Sequence, residues 1–281
     1  MRIITRTLNG ASCQTALILG LPYSLEHDST LNEKFDIEKD ATLNGVVPWV
    51  KYFCIGDNGH RVITGADGIP YTSPINHRAS DAALFHHLPF VLRERDLDLT
   101  IDQREAYALR KEIIINSIVY VAYYLKRIDV TRVSIALQHT SVVDGNATIT
   151  PFTYDNSNLN PSHPELPNTG VITTDGNYLT SSAIISVLLN ETDVSELINV
   201  ATILYGTEQR ALISEIGLCS GIDRVVTTQG AAGPINYREA IGVQIATFIT
   251  GYYPVGYTNK GFELQIEAGA TEPMLGEGVA P

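Results

Sequence analysis

Cysteine is scarce in the chain. Cys13, Cys54 and Cys219 are odd in number, far apart and without a CxxC pair, which argues against a disulfide framework or a zinc ribbon and leaves free thiols in a reducing compartment as the expectation. Charge is scarce as well: 18% of residues carry it, against about a quarter in an average soluble domain, so Ser, Thr, Asn, Gln and Gly must make up much of the surface. Positive charge is the scarcer sign, with 19 Lys and Arg against 31 Asp and Glu and a formal net charge of -12. That balance repels a phosphate backbone, and direct nucleic-acid binding is not expected. No apolar run approaches the ~18–20 residues that span a bilayer. The start of the chain is interrupted by Arg6, Asn9 and Gly10 before a signal-like apolar stretch develops. A soluble, unprocessed protein without a membrane partner is the expectation. A repeat of fixed period is also lacking, which argues against a solenoid or a propeller.

What is present is mostly strand pattern. The chain has 281 residues, 44% of them hydrophobic, enough for one large domain or two modest ones. After a first apolar run at 13–21 and a polar loop at 26–40, residues 46–55 are rich in β-branched and aromatic side chains. They stop at Gly56-Asp57-Asn58-Gly59, which reads as a tight turn supplying positive-φ residues, with 61–64 returning as the partner strand. Residues 65–80 read as an irregular loop, and Ser80 as the cap of one or two helical turns through 81–87, ended by Pro89. In 105–115, Tyr107, Leu109, Ile113 and Ile115 share one strand face. Residues 118–128 form a second strand, joined to the first through Asn116-Ser117 as an antiparallel ribbon, and 133–137 can add a third.

The second half mixes the two periods. Residues 153–170 hold three prolines and four asparagines and read as a linker or long loop. A strand is expected at 179–189, then a helix opened by the capping box Asp193-Val194-Ser195-Glu196 and running to Gly206, then a strand at 210–217. Residues 236–251 fit both a helix and a strand; the pair Asn236 and Glu239 and the stop at Gly251 favour helix. Residues 262–268 give a last strand before a tail of Gly, Glu and Pro. The expected fold class is α+β and β-rich, with antiparallel, sandwich-like sheets, two or three helices and long loops. The expected division is a β-rich part at 1–152, a linker or loop at 153–170 and an α+β part with an extended tail at 171–281, or else one continuous domain.

Chemical motifs are sparse. A nucleophile elbow needs Gly-x-Ser-x-Gly at a strand-to-helix turn, and Gly217-Leu218-Cys219-Ser220-Gly221 has neither the spacing nor a helical pattern after it. Phosphate-cradling glycine loops are absent. His77, His86 and His87, with Asp81 between them and His60 at a neighbouring turn, are the candidate metal ligands. Adjacent histidines diverge in either secondary structure, however, and hydrogen-bonded structural imidazoles are the better explanation. Asp57-Asn58-Gly59 resembles part of a calcium loop without its distal Glu, so a turn is preferred. The alternating charges of 93–98 suit a solvated or self-paired strand edge able to dock between subunits of a ring. Trp49, the tyrosines and the histidines could make an aromatic platform for a carbohydrate, although Tyr120, Tyr123 and Tyr124 lie in an apolar strand and suit a core. No residue is assigned as catalytic, cofactor-binding or metal-binding, and no cofactor is expected.

Three strings carry a resemblance: residues 49–60 (Trp-Val-Lys-Tyr-Phe-Cys-Ile-Gly-Asp-Asn-Gly-His), 85–91 (Phe-His-His-Leu-Pro-Phe-Val) and 213–223 (Ile-Ser-Glu-Ile-Gly-Leu-Cys-Ser-Gly-Ile-Asp). Together with residues 264–273 they resemble tailed-bacteriophage virion structural proteins, in which a strand enters a Gly-Asp-Gly/Asn-Gly turn and a later strand carries Glu-Ile/Val-Gly-Leu. The chain departs from the fibre pattern in lacking a repetitive shaft. The resemblance implies a non-enzymatic virion subunit, assembled in the host bacterial cytoplasm. Its partners would be copies of itself in a symmetric oligomer and neighbouring virion proteins, in the tail or baseplate or, alternatively, as a head-to-tail connector or collar in the neck. Loops 65–80 and 153–170 and the residues after Gly269 are the expected contact surfaces. A carbohydrate- or metal-binding module or an enzyme is the alternative of another class.

Overall fold

The computed structural model describes residues 2–23, 35, 43, 45–143, 146–160, 177–230, 233–255 and 260–274. The polar loop at 26–40, apart from Phe35, most of the 153–170 loop and the end of the tail lie outside them. The chain forms two compact units, Met1–Asp129 with Val187–Glu263, and Val130–Ser186 with Leu264–Pro281. The division expected around 153–170 does not coincide with this one, because the chain leaves the first unit after Asp129 and returns to it at Val187. Among the described residues no helix is long and apolar enough to cross a membrane.

The first unit is built on strands β1 (Ile3–Arg6), β2 (Trp49–Gly56), β3 (His60–Thr64), β4 (Pro70–Pro74), β5 (His87–Leu88), β6 (Val91–Glu94), β7 (Tyr107–Ile115) and β8 (Ile118–Arg127). The second unit takes β9 (Ala136–Val143), β10 (Asn146–Pro151) and most of β11 (Asn177–Leu189). The chain then supplies β12 (Leu212–Gly230) and β13 (Gly233–Pro254) to the first unit and β14 (Phe262–Pro273) chiefly to the second. One antiparallel sheet runs β1-β13-β12-β2-β8-β6, with β5 on β2 and β7 on β8; a second runs β10-β9-β11-β14; β3 and β4 pair as a separate ribbon. The helices are α1 (Leu8–Leu19), α2 (Ile101–Arg104), α3 (Asn156–Leu159) and α4 (Glu191–Tyr205). This is the β-rich α+β class, with antiparallel sheets, that the sequence indicates.

The β7–β8 ribbon forms as expected. Asn116 and Ser117 take φ of 49° and 67°, and the register closes at Ile115 opposite Ile118. Two consecutive left-handed residues make the turn whose twist matches that of the strands. Because serine resists that conformation, Ser117→Gly is expected to stabilise the protein by about 0.5–1 kcal/mol, read as a higher midpoint in thermal unfolding.

Several expectations are corrected. Residues 236–251 are not a helix but the centre of β13, between β1 and β12. Both faces of this strand are covered, so Ala240, Ala246 and Phe248 are buried along with Ile241, Val243, Ile245 and Ile249. A strand buried on both faces loses its clean alternation and fills helical positions by coincidence. Residues 61–64 return not against β2 but into the β3–β4 ribbon, because the flanks of β2 are taken by β12, β5 and β8. Residues 81–87 form no helix: the amides of Leu84, Phe85 and His86 bond the side chains of His87 and Glu215 instead of the carbonyls one turn back. The expected strand at 133–137 begins only at Ala136, and that at 210–217 runs on to Gly230. The helix expected from 193 starts earlier, with Asn190 as N-cap and Asp193, the third residue of the helix, closing the capping box.

The core of the first unit follows from these pairings. Tyr52, Phe53, Cys54 and Ile55 of β2 are all buried, as are Ile213, Ile216 and Cys219 of β12. Val200 of α4 joins Leu92 and Ala122 in one buried cluster.

Candidate functional site

Glu215 is the centre of a densely connected polar cluster in the first unit. It lies on β12 opposite Gly56 of β2 and is fully buried. A buried carboxylate is costly unless donors surround it, and here they do. Oε1 accepts from the Asn58 amide (3.1 Å) and the His86 amide (3.2 Å); Oε2 accepts from the Phe85 amide (2.8 Å) and lies 3.0 Å from His77 Nε2. One side chain thus pins the turn after β2 and the irregular segment before β5 onto β12.

His77 is held on every side. Its side chain is fully buried, sandwiched between the rings of Phe85 (4.1 Å between centroids) and Phe248 (3.9 Å), with Nδ1 3.3 Å from Asp81 Oδ2. The imidazole therefore bridges two carboxylates within an aromatic stack. Beside it, His86 Nδ1 lies 2.6 Å from Asp57 Oδ1, and the Tyr205 hydroxyl at the end of α4 donates to Asp57 Oδ2 at 2.5 Å.

The Gly-Asp-Asn-Gly turn is specified by crowding, which corrects its reading as a source of positive-φ residues: none of residues 56–59 has positive φ. A Cβ at Gly56 would stand 2.3 Å from the His86 carbonyl oxygen, and one at Gly59 2.6 Å from that of Ser214. Only glycine lets the turn lie this close to its neighbours.

Burial pushes the Asp57 carboxyl upward, but the hydrogen bonds from His86 and Tyr205 outweigh it and hold the group below its ordinary range. A carboxyl lowered in the folded state gives stability that is present above the unfolded value of about 4 and is lost as pH falls through the folded value. Asp57→Asn is accordingly expected to cost about 1–2 kcal/mol at neutral pH. Its deficit should shrink below about pH 4, as urea unfolding across a pH series would show.

The four candidate histidines are separated in role. His77 and His86 join the Glu215 cluster. His87 Nε2 accepts from the Leu84 amide (3.1 Å), while its ring edge meets Phe35. His60 packs edge-on to Tyr252. Among the described residues, no group of three or more His, Cys, Asp or Glu side chains is arranged to hold a metal ion.

The remaining candidates are likewise placed. Residues 217–221 lie within β12, with Cys219 Sγ 3.7 Å from Cys54 Sγ, and all three cysteines are free and buried. Burial pushes the Cys54 thiol well up, making it unreactive. Of the charges at 93–98, Arg93 pairs with Glu196, and Asp98 with Arg104, Arg110 and the Tyr123 hydroxyl. These two charges are therefore paired within the subunit. Trp49 is half exposed, with Lys51 Nζ 3.9 Å above its ring.

Glu215 stood in the sequence as the first residue of the Glu-Ile-Gly-Leu string, without a role of its own. The available signal was a lone acid between Ile213 and Ile216, where a buried strand has no ordinary use for charge.

A family model described as "Family of unknown function (DUF7208)" matches residues 1–281. No curated protein and no solved structure matches the chain.

Proposed function

We propose that the chain, which belongs to the DUF7208 family, is a non-enzymatic structural subunit of a tailed-bacteriophage virion, a tail or baseplate component that connects tail elements through symmetric self-assembly. The observation that carries this reading is the convergence of the three resembling strings on Glu215. Residues 56–59, 85–86 and 215 are far apart in sequence, yet they meet at one carboxylate whose oxygens are occupied by protein donors. The shared pattern then encodes a rigid support for loops and not an open reaction centre. The β3–β4 ribbon adds to this support, because Val62, Ile69 and Tyr71 are exposed on it, within or beside the 65–80 segment expected to touch neighbours. Apolar side chains gathered on a ribbon suit burial by a partner.

The test is the mass of the purified chain in solution over a range of concentrations, with negative-stain imaging of large species. A discrete ring, or a monomer that closes into one when neighbouring tail proteins are added, is the expected result. A monomer indifferent to concentration and to virion proteins would overturn the proposal.

A further inference from the structure

The first unit carries a cleft of about 800 Å³ on β7, β8 and the outer part of the β12–β13 hairpin. In a chain where acids far outnumber bases, six of the 19 Lys and Arg line it, against two carboxylates, Glu105 and Glu239. The arginines are pre-positioned. Asp98 holds Arg104 and Arg110 from one side, Asp223 holds Arg127, and Glu105 holds Arg238. A guanidinium fixed by one carboxylate keeps further N–H donors for a second. Lys111 has no ion pair among the described residues. Strand β7, which among the described residues pairs with β8 alone, forms one wall, and Leu109 on it adopts φ of 56°, a conformation that leucine takes only under constraint.

The acidic counterpart is on the second unit. Among the described residues, strand β14 lies at the end of its sheet and pairs with β11 alone, and every residue from Glu267 to Pro273 is exposed. From Gly261 to Pro281 the sequence contains four Glu and no Lys, Arg or His. A free strand edge bearing one sign of charge seeks an outside partner.

We propose that the cationic cleft of one subunit receives the acidic β14 segment of a second copy of this chain. The inference rests on the self-assembly reading above and names its contact. Cleft and strand are different surfaces, so the contact is heterologous, the kind that generates rings when the rotation closes. Electrostatic pairing would set its register and make it sensitive to salt.

Sedimentation velocity of the full chain tests the contact. Association is expected to weaken as NaCl rises. The variants K111E/R238E and E267K/E272K should each raise the dissociation constant about tenfold or more, and all four changes together should restore it to within about threefold, because each interface again joins opposite charges. A labelled peptide of residues 262–274 should bind the wild-type chain and lose binding at high salt, a readout independent of whether the variants fold. Association unchanged by either reversal, reversals that fail to compensate, or a peptide that does not bind would overturn this contact while leaving self-assembly standing. A wild-type chain monomeric at every concentration, with and without virion proteins, would overturn both.

Discussion

Replacing Glu215 by Ala is expected to cost the first unit about 3–5 kcal/mol, a large share of the stability of an ordinary domain. The substitution strips acceptors from the amides of Asn58, Phe85 and His86 and from the His77 ring. Each buried donor left without a partner costs about 1–3 kcal/mol before relaxation. Glu215→Gln should be milder yet still destabilising, because the amide keeps one acceptor oxygen but aims an NH2 group at donors. His77→Phe provides the contrast. It preserves the stack between Phe85 and Phe248 but removes one of four donors to the carboxylate, and so should cost less than Glu215→Ala. Urea unfolding followed through Trp49, the single tryptophan, reports on β2 directly. A Glu215→Ala midpoint equal to wild type would refute the role given to this side chain, and with it the principal support for the structural reading.

The same cluster shows what could and could not be read from the sequence. Strands announced by β-branched alternation and closed by local turns were legible: β2, the β7–β8 ribbon with Asn116-Ser117, and β11. The body of the helix before Gly206 was legible too, because its period and its glycine stop are local, although its N-cap is Asn190 and not Asp193. What failed was non-local. Strand β13 looked helical because a strand covered on both faces has no polar phase, and residues 81–87 looked helical because nothing in them reveals that the amides of Phe85 and His86 bond a carboxylate on β12. Gly56 and Gly59 announced a turn, but for the wrong reason. Their need is the approach of the His86 and Ser214 carbonyls, which is visible only once the strands are paired. The histidines were noticed as a group, whereas Glu215, which organises two of them, was noticed only as part of the Glu-Ile-Gly-Leu string, since a single Glu in a strand has no spacing to betray its contacts.

Asp193 presents the same lesson in a form that separates two effects. It was legible as a capping residue, but it stands at the third position of the helix and not at the N-cap: Asn190 Oδ1 accepts from the Asp193 amide at 2.9 Å, and Asp193 Oδ2 accepts from the Asn190 amide at 2.8 Å. Its larger task is tertiary. The carboxylate is buried, accepts from the Tyr107 hydroxyl at 2.6 Å and pairs with Lys126 of β8. Burial, followed by this hydrogen bond, pushes the Tyr107 hydroxyl upward and keeps it a donor. Asn190→Ala should therefore cost about 1 kcal/mol, the ordinary value of a cap, whereas Asp193→Ala should cost about 3–5 kcal/mol because it leaves a nearly buried ammonium unpaired. The decisive comparison is the double variant Asp193→Ala with Lys126→Met. Removing both charges abolishes the unpaired ion, so it should be more stable than Asp193→Ala alone by about 1–2 kcal/mol. If the two substitutions simply add, the cost of Asp193→Ala lies in the helix start, and the link between α4 and β8 carries none of it.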